Sequence, residues 1–366
     1  MGAARHLDLL GQTGATTIPW PVPFADGIET LLGLRGQRVV VLASGNPFWF
    51  GAGSTLSRHL NPGEWRAVPG RSTFALAANH MGWPLEQTAC IGLHAAPFER
   101  LKAELAPGNR AIVLLRDGSA VADLARWLCG QGFGETDMTV AEALGGPRQR
   151  LRTTKADRYD LVDVAHPVCA ALSFAGPGRV LPQSAGRAED WFEHDGQITK
   201  SPVRALTLAA LSPRAHDHLW DIGGGSGSVS VEWLLSHPSL RATAVEPRPD
   251  RAERIRQNGD NFGVGHRLTV IVGQAPDGLQ GLPRPQAVFI GGGLSQNLLD
   301  YLWEHLDPGT RIIANAVTLD SETLLAKWHG DVGGELLRVE LARAEPLGSK
   351  RGWKSAYPVV QWSVTR

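Results

Sequence analysis

The sequence has little of several features that mark whole classes of protein. It contains only three cysteines, and no two of them form a C-x-x-C pair, so neither a disulfide framework nor a cysteine-based metal site is expected. Lysine plus arginine and aspartate plus glutamate both total 36, which disfavours nucleic-acid binding through phosphate contacts. No apolar run is long enough for a membrane span or a signal peptide. We expect a cytoplasmic protein with buried thiols, no bound metal, and neither a nucleic-acid nor a membrane partner.

Glycine (43 residues) and proline (24 residues) are abundant, which is typical of many short turns between strands and helices. The length of 366 residues favours two domains, and alternating apolar and amphipathic segments predict α/β folds. In the first half, strands are predicted at 39–43, 64–68, 89–94, 110–115, 139–144 and 161–172, with helices at 54–60, 72–81, 98–105 and 120–130.

A stretch rich in glycine, proline and arginine at 175–190 predicts a linker between a first domain at 1–174 and a second domain at 191–366. The second domain is expected to begin with a helix near Thr199. Its strands are predicted at 218–222, 241–246, 268–272, 286–290, 311–317, 334–344 and 357–364. Helices are predicted between the first five strands, which are therefore expected to be parallel, and again at 321–329. The last two strands are joined without a helix, which predicts an antiparallel pair at one edge of the sheet.

The most informative segment is 220–229, where a short apolar strand leads into D-x-G-x-G-x-G and then into a helix. Its glycines allow a sharp turn and a close approach of backbone to ligand. The oxidoreductase pattern G-x-G-x-x-G would need glycine at Ser228, so a nicotinamide cofactor is disfavoured. The spacing instead suits S-adenosylmethionine. Asp221 can bind the cationic amino-acid end of this cofactor.

A second acidic residue supports this interpretation. Glu246 ends the next strand, about 25 residues after Asp221. In doubly wound nucleotide folds an acid at this place accepts hydrogen bonds from the ribose hydroxyls of adenosine. The alternative is a solvated loop glutamate. Together with the seven-strand plan, this order predicts a class I, Rossmann-like methyltransferase domain.

Several motifs carry a resemblance to known families. The second half resembles the tetrapyrrole methyltransferases that decarboxylate and methylate precorrin-6B at C15 in cobalamin synthesis. The matching segments are 192–200, 203–205, 221–227, 273–276 and 289–293. The first half resembles the other corrinoid methylase type, through Ser44-Gly45-Asn46-Pro47 and Val68-Pro69-Gly70. The two halves in this order are similar to the fused decarboxylating precorrin C5,15-methyltransferases.

Two departures from this family are visible in the first half. The family normally places a strand and a glycine loop about 30 to 40 residues before a segment like 5–10, so the resemblance implies a shortened tetrapyrrole-methylase-like domain. The usual aspartate of the Gly-Asp-Pro turn is Asn46 here, which removes a charge. Both departures leave the activity of the first domain open.

The resemblance implies methylation of precorrin-6B at C5 and C15, with loss of the C12 acetate carboxylate. It also implies S-adenosylmethionine as the cofactor, a tetrapyrrole substrate and a homo-oligomer. The residues expected to bind the cofactor in the second half are Thr199, Asp221, Gly223, Gly224, Gly225, Ser226, Gly227, Glu246, Gln274 and Ala275. In the first half they are Gly45, Asn46, Pro47, Pro69 and Gly70. Candidate substrate residues are Gly291, Gly292, Gly293 and Lys350.

Each of these assignments has a plainer alternative. Thr199 can be a helix N-cap, Gln274 a solvated turn residue, the glycine triplet a strand–helix turn, and Lys350 the tip of a solvated basic hairpin. The first-half residues can be ordinary turn residues. Methyl transfer depends mainly on alignment, so no catalytic residue is predicted.

Rival functions also remain open. One is a class I methyltransferase that acts on RNA or protein. Another is a corrinoid carrier or scaffold with an inactive first half.

Overall fold

The computed structural model describes residues 1–366 and divides them into two units. The first unit comprises 1–98 and 104–180, and the second comprises 99–103 and 181–366. Each unit has its own sheet and its own hydrophobic core.

The first unit is an α/β structure with a mixed sheet. Its helices are α1 (Ala4–Leu7), α2 (Asp26–Gly33), α3 (Gly53–Leu56), α4 (Thr73–Met81) and α5 (Ser119–Gly130). Its strands are β1 (Ala89–Gly92), β2 (Arg110–Leu115), β3 (Asp137–Glu142), β4 (Arg150–Lys155) and β5 (Val168–Ser173). The sheet order is β1-β2-β5-β3-β4, and only the β1–β2 pair is parallel.

Two predicted strands of the first half are absent. Residues 39–43 are extended but form no ladder, because Leu42 makes only an isolated bridge with Gly2. Residues 64–68 are exposed and have no strand partner. The segment predicted as strand 161–172 is paired only over β5, and β4 was not predicted because its alternating pattern is masked by arginines. An apolar run therefore became a strand only where a neighbouring strand could complete its hydrogen bonds.

The second unit has the predicted second-half architecture. Its helices are α6 (Ser201–Leu211), α7 (Ser228–Ser236), α8 (Pro249–Asn261), α9 (Gln296–His305) and α10 (Leu319–Val332). Its strands are β6 (His218–Ile222), β7 (Arg241–Glu246), β8 (Leu268–Val272), β9 (Ala287–Ile290), β10 (Arg311–Ala316), β11 (Glu335–Val339), β12 (Ala342–Leu347), β13 (Lys350–Ser355) and β14 (Val359–Thr365).

Seven of these strands form one sheet in the order β11-β14-β10-β9-β6-β7-β8. The five strands from β6 to β10 are parallel, and β14 runs antiparallel to both β10 and β11. The predicted run of five parallel strands and the predicted antiparallel pair at one edge of the sheet are both confirmed. Strand β9 is buried along its whole length because helices cover both faces of the sheet, as expected for a parallel α/β structure.

The structure also corrects the second-half prediction at two places. Only a short 3-10 turn, Asp277–Leu279, lies between β8 and β9, where a helix was expected. The connection between the last two sheet strands, predicted as a plain loop, forms a separate antiparallel hairpin of β12 and β13. Alternation of polar and apolar residues is weak in this hairpin because nearly all of it is exposed.

None of the helices combines the length and the apolar character that crossing a bilayer requires. The three cysteines are all free thiols, but only Cys169 is buried. Cys90 is half-buried and Cys129, in the last turn of α5, is exposed, so the expectation of three buried thiols was wrong for two of them.

Candidate functional site

The second unit contains a cavity of about 560 Å³ along the carboxyl edge of its parallel strands. This is where open α/β sheets bind ligands, because chain reversals there leave a crevice between neighbouring loops. The cavity is bounded by the loops after β6, β7, β8, β9 and β10, by the start of β14, and by residues 197–200 before α6.

The loop after β6 depends on glycine for its geometry. Gly223 has φ +68°, and a Cβ atom there would lie 2.7 Å from the Cα of Gly292. Only glycine allows this left-handed conformation and this close approach at the same time. Gly225 has φ +59°, and a Cβ atom there would meet nothing closer than 3.7 Å. The loops after β6 and β9 are therefore in backbone contact beside the cavity.

Glu246, at the end of β7, is held in place on the cavity wall. One carboxylate oxygen, Oε2, accepts a hydrogen bond from the Gly225 N–H at 2.9 Å, and Oε1 accepts one from the Arg248 N–H at 3.1 Å. The residue is only 3% exposed. The carboxylate thus faces the glycine loop with its orientation set by backbone donors, which is the arrangement expected of an acceptor for two hydroxyl groups.

Asp221 lies behind the glycine loop. It is 1% exposed, and its Oδ2 accepts hydrogen bonds from the Ser230 N–H at 3.2 Å and the Ser230 hydroxyl at 2.6 Å. Its other oxygen, Oδ1, has no hydrogen-bond partner. Burial raises the pKa of Asp221 to about 6, against the lowering effect of the Ser230 hydrogen bonds. In this structure Asp221 joins the glycine loop to α7.

A buried ion pair supports the segment that carries Thr199. Arg204 and Glu232 are fully buried, and Arg204 Nε donates to Glu232 Oε1 at 3.0 Å. Arg204 also donates to the carbonyl oxygens of Thr199 and Arg187. Glu232 accepts from the Gly186 N–H at 2.7 Å as well. The pair therefore connects the chain leading into α6 to helix α7, which follows the glycine loop.

Thr199 does not act as a helix N-cap. The N-cap of α6 is Lys200, and no side chain accepts a capping hydrogen bond there. Thr199 is half-buried and lines the cavity. A role as the N-cap of α6 is thereby excluded for Thr199.

Asn258 on α8 connects two parts of the cavity wall. Its Nδ2 donates to the Ser226 carbonyl at 2.8 Å and to the Glu193 carbonyl at 2.9 Å. Its Oδ1 accepts from the Glu193 N–H at 2.9 Å. The side chain is fully buried. The glycine loop and the segment 192–199 are thus held by the same side chain.

An ion pair also links the segment 192–199 to helix α8. Asp195 Oδ2 accepts a hydrogen bond from Arg251 Nε at 2.9 Å, and Arg254 Nη1 lies 3.4 Å from the same oxygen. The hydrogen bond from Arg251 is the main reason that the pKa of Asp195 is lowered to about 2. Asp195 is therefore ionised at neutral pH, and Arg251 remains at the cavity wall.

The structure brings most of the predicted second-half residues to this cavity. Those that line it are Thr199, Gly223, Gly224, Gly225, Ser226, Glu246, Gln274, Ala275, Gly291, Gly292 and Gly293. Asp221 and Gly227 lie behind the loop, where a Cβ atom on Gly227 would meet Ile255 at 2.7 Å. Lys350 is exposed on β13 and does not line the cavity, because the hairpin of β12 and β13 is separate from the seven-stranded sheet.

The first-unit candidates also come together, within that unit. The Gly70 N–H donates to the Gly45 carbonyl at 3.0 Å. Asn46 Oδ1 accepts from the Phe48 N–H at 2.9 Å, which makes its amide part of the turn itself. The two predicted turns, including Pro47 and Pro69, are therefore adjacent, and a cofactor role for them stays a prediction.

Sequence reasoning missed several residues of the cavity and of its support. Arg204 lies in the matching segment 203–205 but was given no role, whereas Glu232 and Asn258 act through long-range contacts that leave no local pattern. The missed cavity residues include Gln197, Ile198, Arg251, Asn315, Val317 and Val359. Asn315 had a usable signal, since it is a polar residue near the end of a buried strand.

The residues of the cavity fit an adenosine cofactor. The Ser226 hydroxyl is buried, has no partner and belongs to a cavity-lining residue, so it offers an unused hydrogen-bonding group. The glycine loop leaves space that a side chain at Gly225 would fill. Glu246 presents a carboxylate at the cavity wall, and no cluster of His, Cys, Asp or Glu side chains is arranged to hold a metal ion.

Comparison with known proteins identifies both halves. Residues 190–366 match the family described as a precorrin methyltransferase domain, and residues 30–160 match the tetrapyrrole (corrin/porphyrin) methylases. A precorrin-6Y C(5,15)-methyltransferase [decarboxylating] of Sinorhizobium sp is 46% identical over 100% of this chain and 89% of the relative. One from Mycobacterium tuberculosis is 39% identical over 100% of this chain and 92% of the relative.

A solved structure resembles the second unit. The C-terminal domain of precorrin-6Y C5,15-methyltransferase from Rhodobacter capsulatus is 60% identical, with a TM-score of 0.50. The match covers 51% of this chain and 100% of that domain.

Proposed function

The chain belongs to the family of decarboxylating precorrin-6Y C(5,15)-methyltransferases, and from this membership we propose how its residues perform the reaction. The reaction methylates a precorrin-6 macrocycle at C5 and C15 with S-adenosylmethionine as donor and removes the C12 acetate carboxylate as carbon dioxide. We assign the C15 methylation to the second unit, 181–366, and the C5 methylation to the first.

The observation that carries this proposal is the position of Glu246. Its carboxylate lies beside the glycine loop at the end of β7, in one cavity with Thr199, Gln274 and Ala275. Ribose hydroxyls would replace the backbone N–H of Gly225 as donors to Glu246. The amide of Gln274, at the end of β8, is exposed to the cavity for contact with the adenine.

Bound S-adenosylmethionine supplies a methyl group on a positively charged sulfur, which is already a strong methyl donor. The residues of the chain have to bind the donor and the acceptor, align them with each other, and exclude water from the site. Glu246 orients the ribose, and the glycine loop admits the donor close to the backbone. Gly291, Gly292 and Gly293 carry no side chains, so a large flat macrocycle can approach from the β9 side. We assign no acid or base to the methyl transfer.

Calorimetric titration of S-adenosylhomocysteine into the full chain tests the cofactor assignment. We expect binding that Glu246→Ala abolishes or weakens by at least tenfold, while the exposed control Glu253→Ala leaves it unchanged. A second binding event that survives Glu246→Ala would indicate a working first unit. Absence of binding to the unmodified chain would overturn the proposal.

Turnover tests the reaction itself. Incubation of the full chain with S-adenosylmethionine and precorrin-6Y is expected to yield carbon dioxide and a macrocycle that carries two additional methyl groups. A product that gains one methyl group would contradict methylation by both units. The absence of carbon dioxide would contradict the decarboxylation.

A further inference from the structure

The cavity of the second unit has two chemically different halves. The strand register aligns Val245, Ile222, Ile290 and Ala314 in one row across β7, β6, β9 and β10. Glu246 and Asn315 each follow this row by one residue and stand three strand spacings apart, about 14 Å. The half near Glu246 is assigned to the cofactor. The half near Asn315 is bounded by the glycine triplet and two valines, Val317 and Val359.

Asn315 is a polar side chain at the wall of this second half, and its orientation is determined by a buried network. The hydroxyl of Thr207 donates to the Val203 carbonyl at 2.9 Å, so its oxygen can only accept from its other neighbours. It accepts from Asn315 Nδ2 at 3.0 Å and from Gln361 Nε2 at 3.1 Å. Thr207 therefore requires the nitrogen of the Asn315 amide, and not its oxygen, to face it.

Counting donors in this network leaves one N–H unused. Gln361 Nε2 donates one hydrogen to Thr207 and the other to Asn315 Oδ1 at 2.9 Å. Asn315 Nδ2 uses one of its two hydrogens for Thr207. Thr207 is fully buried and Gln361 is 5% exposed, whereas Asn315 is half-buried and lines the cavity. The remaining donor of the network thus belongs to the residue at the cavity wall.

We propose that the second N–H of Asn315 binds a side-chain carboxylate of the macrocyclic methyl acceptor and so determines its position against the donor. This inference rests on the proposed function, because the acceptor must be a precorrin that carries at least one carboxylate. A neutral amide suits this role in a partly enclosed site, since its bond to an anionic oxygen is charge-assisted. Asn315 is a substrate-positioning residue and takes no part in proton transfer.

Two substitutions of Asn315 in the full chain test the inference. Asn315→Ala removes the donor, and Asn315→Asp replaces it with a negative charge of nearly the same shape. We expect the KM for precorrin-6Y to rise about ten- to hundredfold in Asn315→Ala, as for a lost hydrogen bond to a charged group. The rise is expected to be larger in Asn315→Asp because like charges repel. The Kd for S-adenosylhomocysteine should change less than twofold in both variants.

Thr207→Val serves as the control for a purely structural role, because Thr207 is buried away from the cavity and the remaining bond from Gln361 Nε2 to Asn315 Oδ1 should keep the orientation of the amide. It should lower the Tm while its effect on the KM stays below that of either Asn315 variant. Loss of S-adenosylhomocysteine binding together with a lowered Tm in the Asn315 variants would overturn the inference in favour of a structural role. An unchanged KM would also overturn it. If the unmodified chain does not convert precorrin-6Y, the proposed function fails and this inference fails with it.

Discussion

The side-chain amide of Asn258 is hydrogen-bonded in both directions to the backbone of Glu193. Its Nδ2 donates to the Glu193 carbonyl at 2.9 Å, and its Oδ1 accepts from the Glu193 N–H at 2.9 Å. The same Nδ2 donates to Ser226 in the glycine loop. One buried side chain thereby sets the distance between the two segments that enclose the cofactor half of the cavity.

Asn258→Ala is expected to weaken the binding of S-adenosylhomocysteine about tenfold. The change removes the partner of three backbone groups, of which the Ser226 carbonyl is in a buried contact, and each group left buried and unsatisfied costs about 1–3 kcal/mol. Calorimetry on the full chain measures the Kd. Asn261→Ala, an exposed asparagine on the same helix, is the matched control and should bind normally. An unchanged Kd in Asn258→Ala would show that the cavity does not depend on this contact.

A comparison of Gly223→Ala with Gly281→Ala distinguishes the effect of backbone strain from the effect of a steric clash. Both glycines have a left-handed conformation, with φ of +68° and +73°. A Cβ atom at Gly223 would lie 2.7 Å from Gly292, whereas one at Gly281 would have no atom within 4 Å. Each change should reduce the free energy of unfolding by about 1–2 kcal/mol from strain alone. Only Gly223→Ala should also abolish binding of S-adenosylhomocysteine, as measured by calorimetry, and equal binding by both variants would contradict this account.

Removing one partner of the buried Arg204–Glu232 pair should destabilise the protein strongly. Arg204→Met leaves Glu232 buried with less compensation, and we expect a loss of about 3–5 kcal/mol in the free energy of unfolding. Glu232→Gln should cost less, and the double variant should be more stable than the sum of the single changes implies. Urea denaturation measures all three. The exposed pair Arg256–Glu253 is the control, for which Arg256→Met should cost less than about 1 kcal/mol.

Asp221→Asn should change the pH dependence of stability. The folded-state pKa of Asp221 is raised to about 6 from 3.8, so the folded state binds more protons than the unfolded state between these values. Stability from this group is therefore fully present below pH 3.8 and is lost as the pH rises through 6. The free energy of unfolding of Asp221→Asn, relative to that of the unmodified chain, should therefore rise by up to about 3 kcal/mol from pH 4 to pH 8. Urea denaturation at both pH values tests this, and a constant difference would contradict it.

Local patterns predicted the seven-stranded sheet of the second unit. The order of strand, glycine loop, helix, strand and acid predicted the neighbourhood of Gly223 and Glu246, because parallel strands end at the same edge of a sheet. The antiparallel pairing of β14 was also predicted, from the lack of a helix before it. In the first half the same reasoning placed strands at 39–43 and 64–68, which remain unpaired.

The amino-acid sequence by itself determined the two-part α/β architecture, the glycine loop and the acid at Glu246, because periodicity, glycine spacing and strand ends are local properties. Only the tertiary structure decided that Asp221 lies behind the loop, that Lys350 does not line the cavity, and that Asn315 lines it with one amide N–H to spare from its hydrogen-bond network. These facts depend on which segments become neighbours. A hydrogen bond between residues 65 or 108 positions apart, such as those of Asn258 and Asn315, has no counterpart in local sequence.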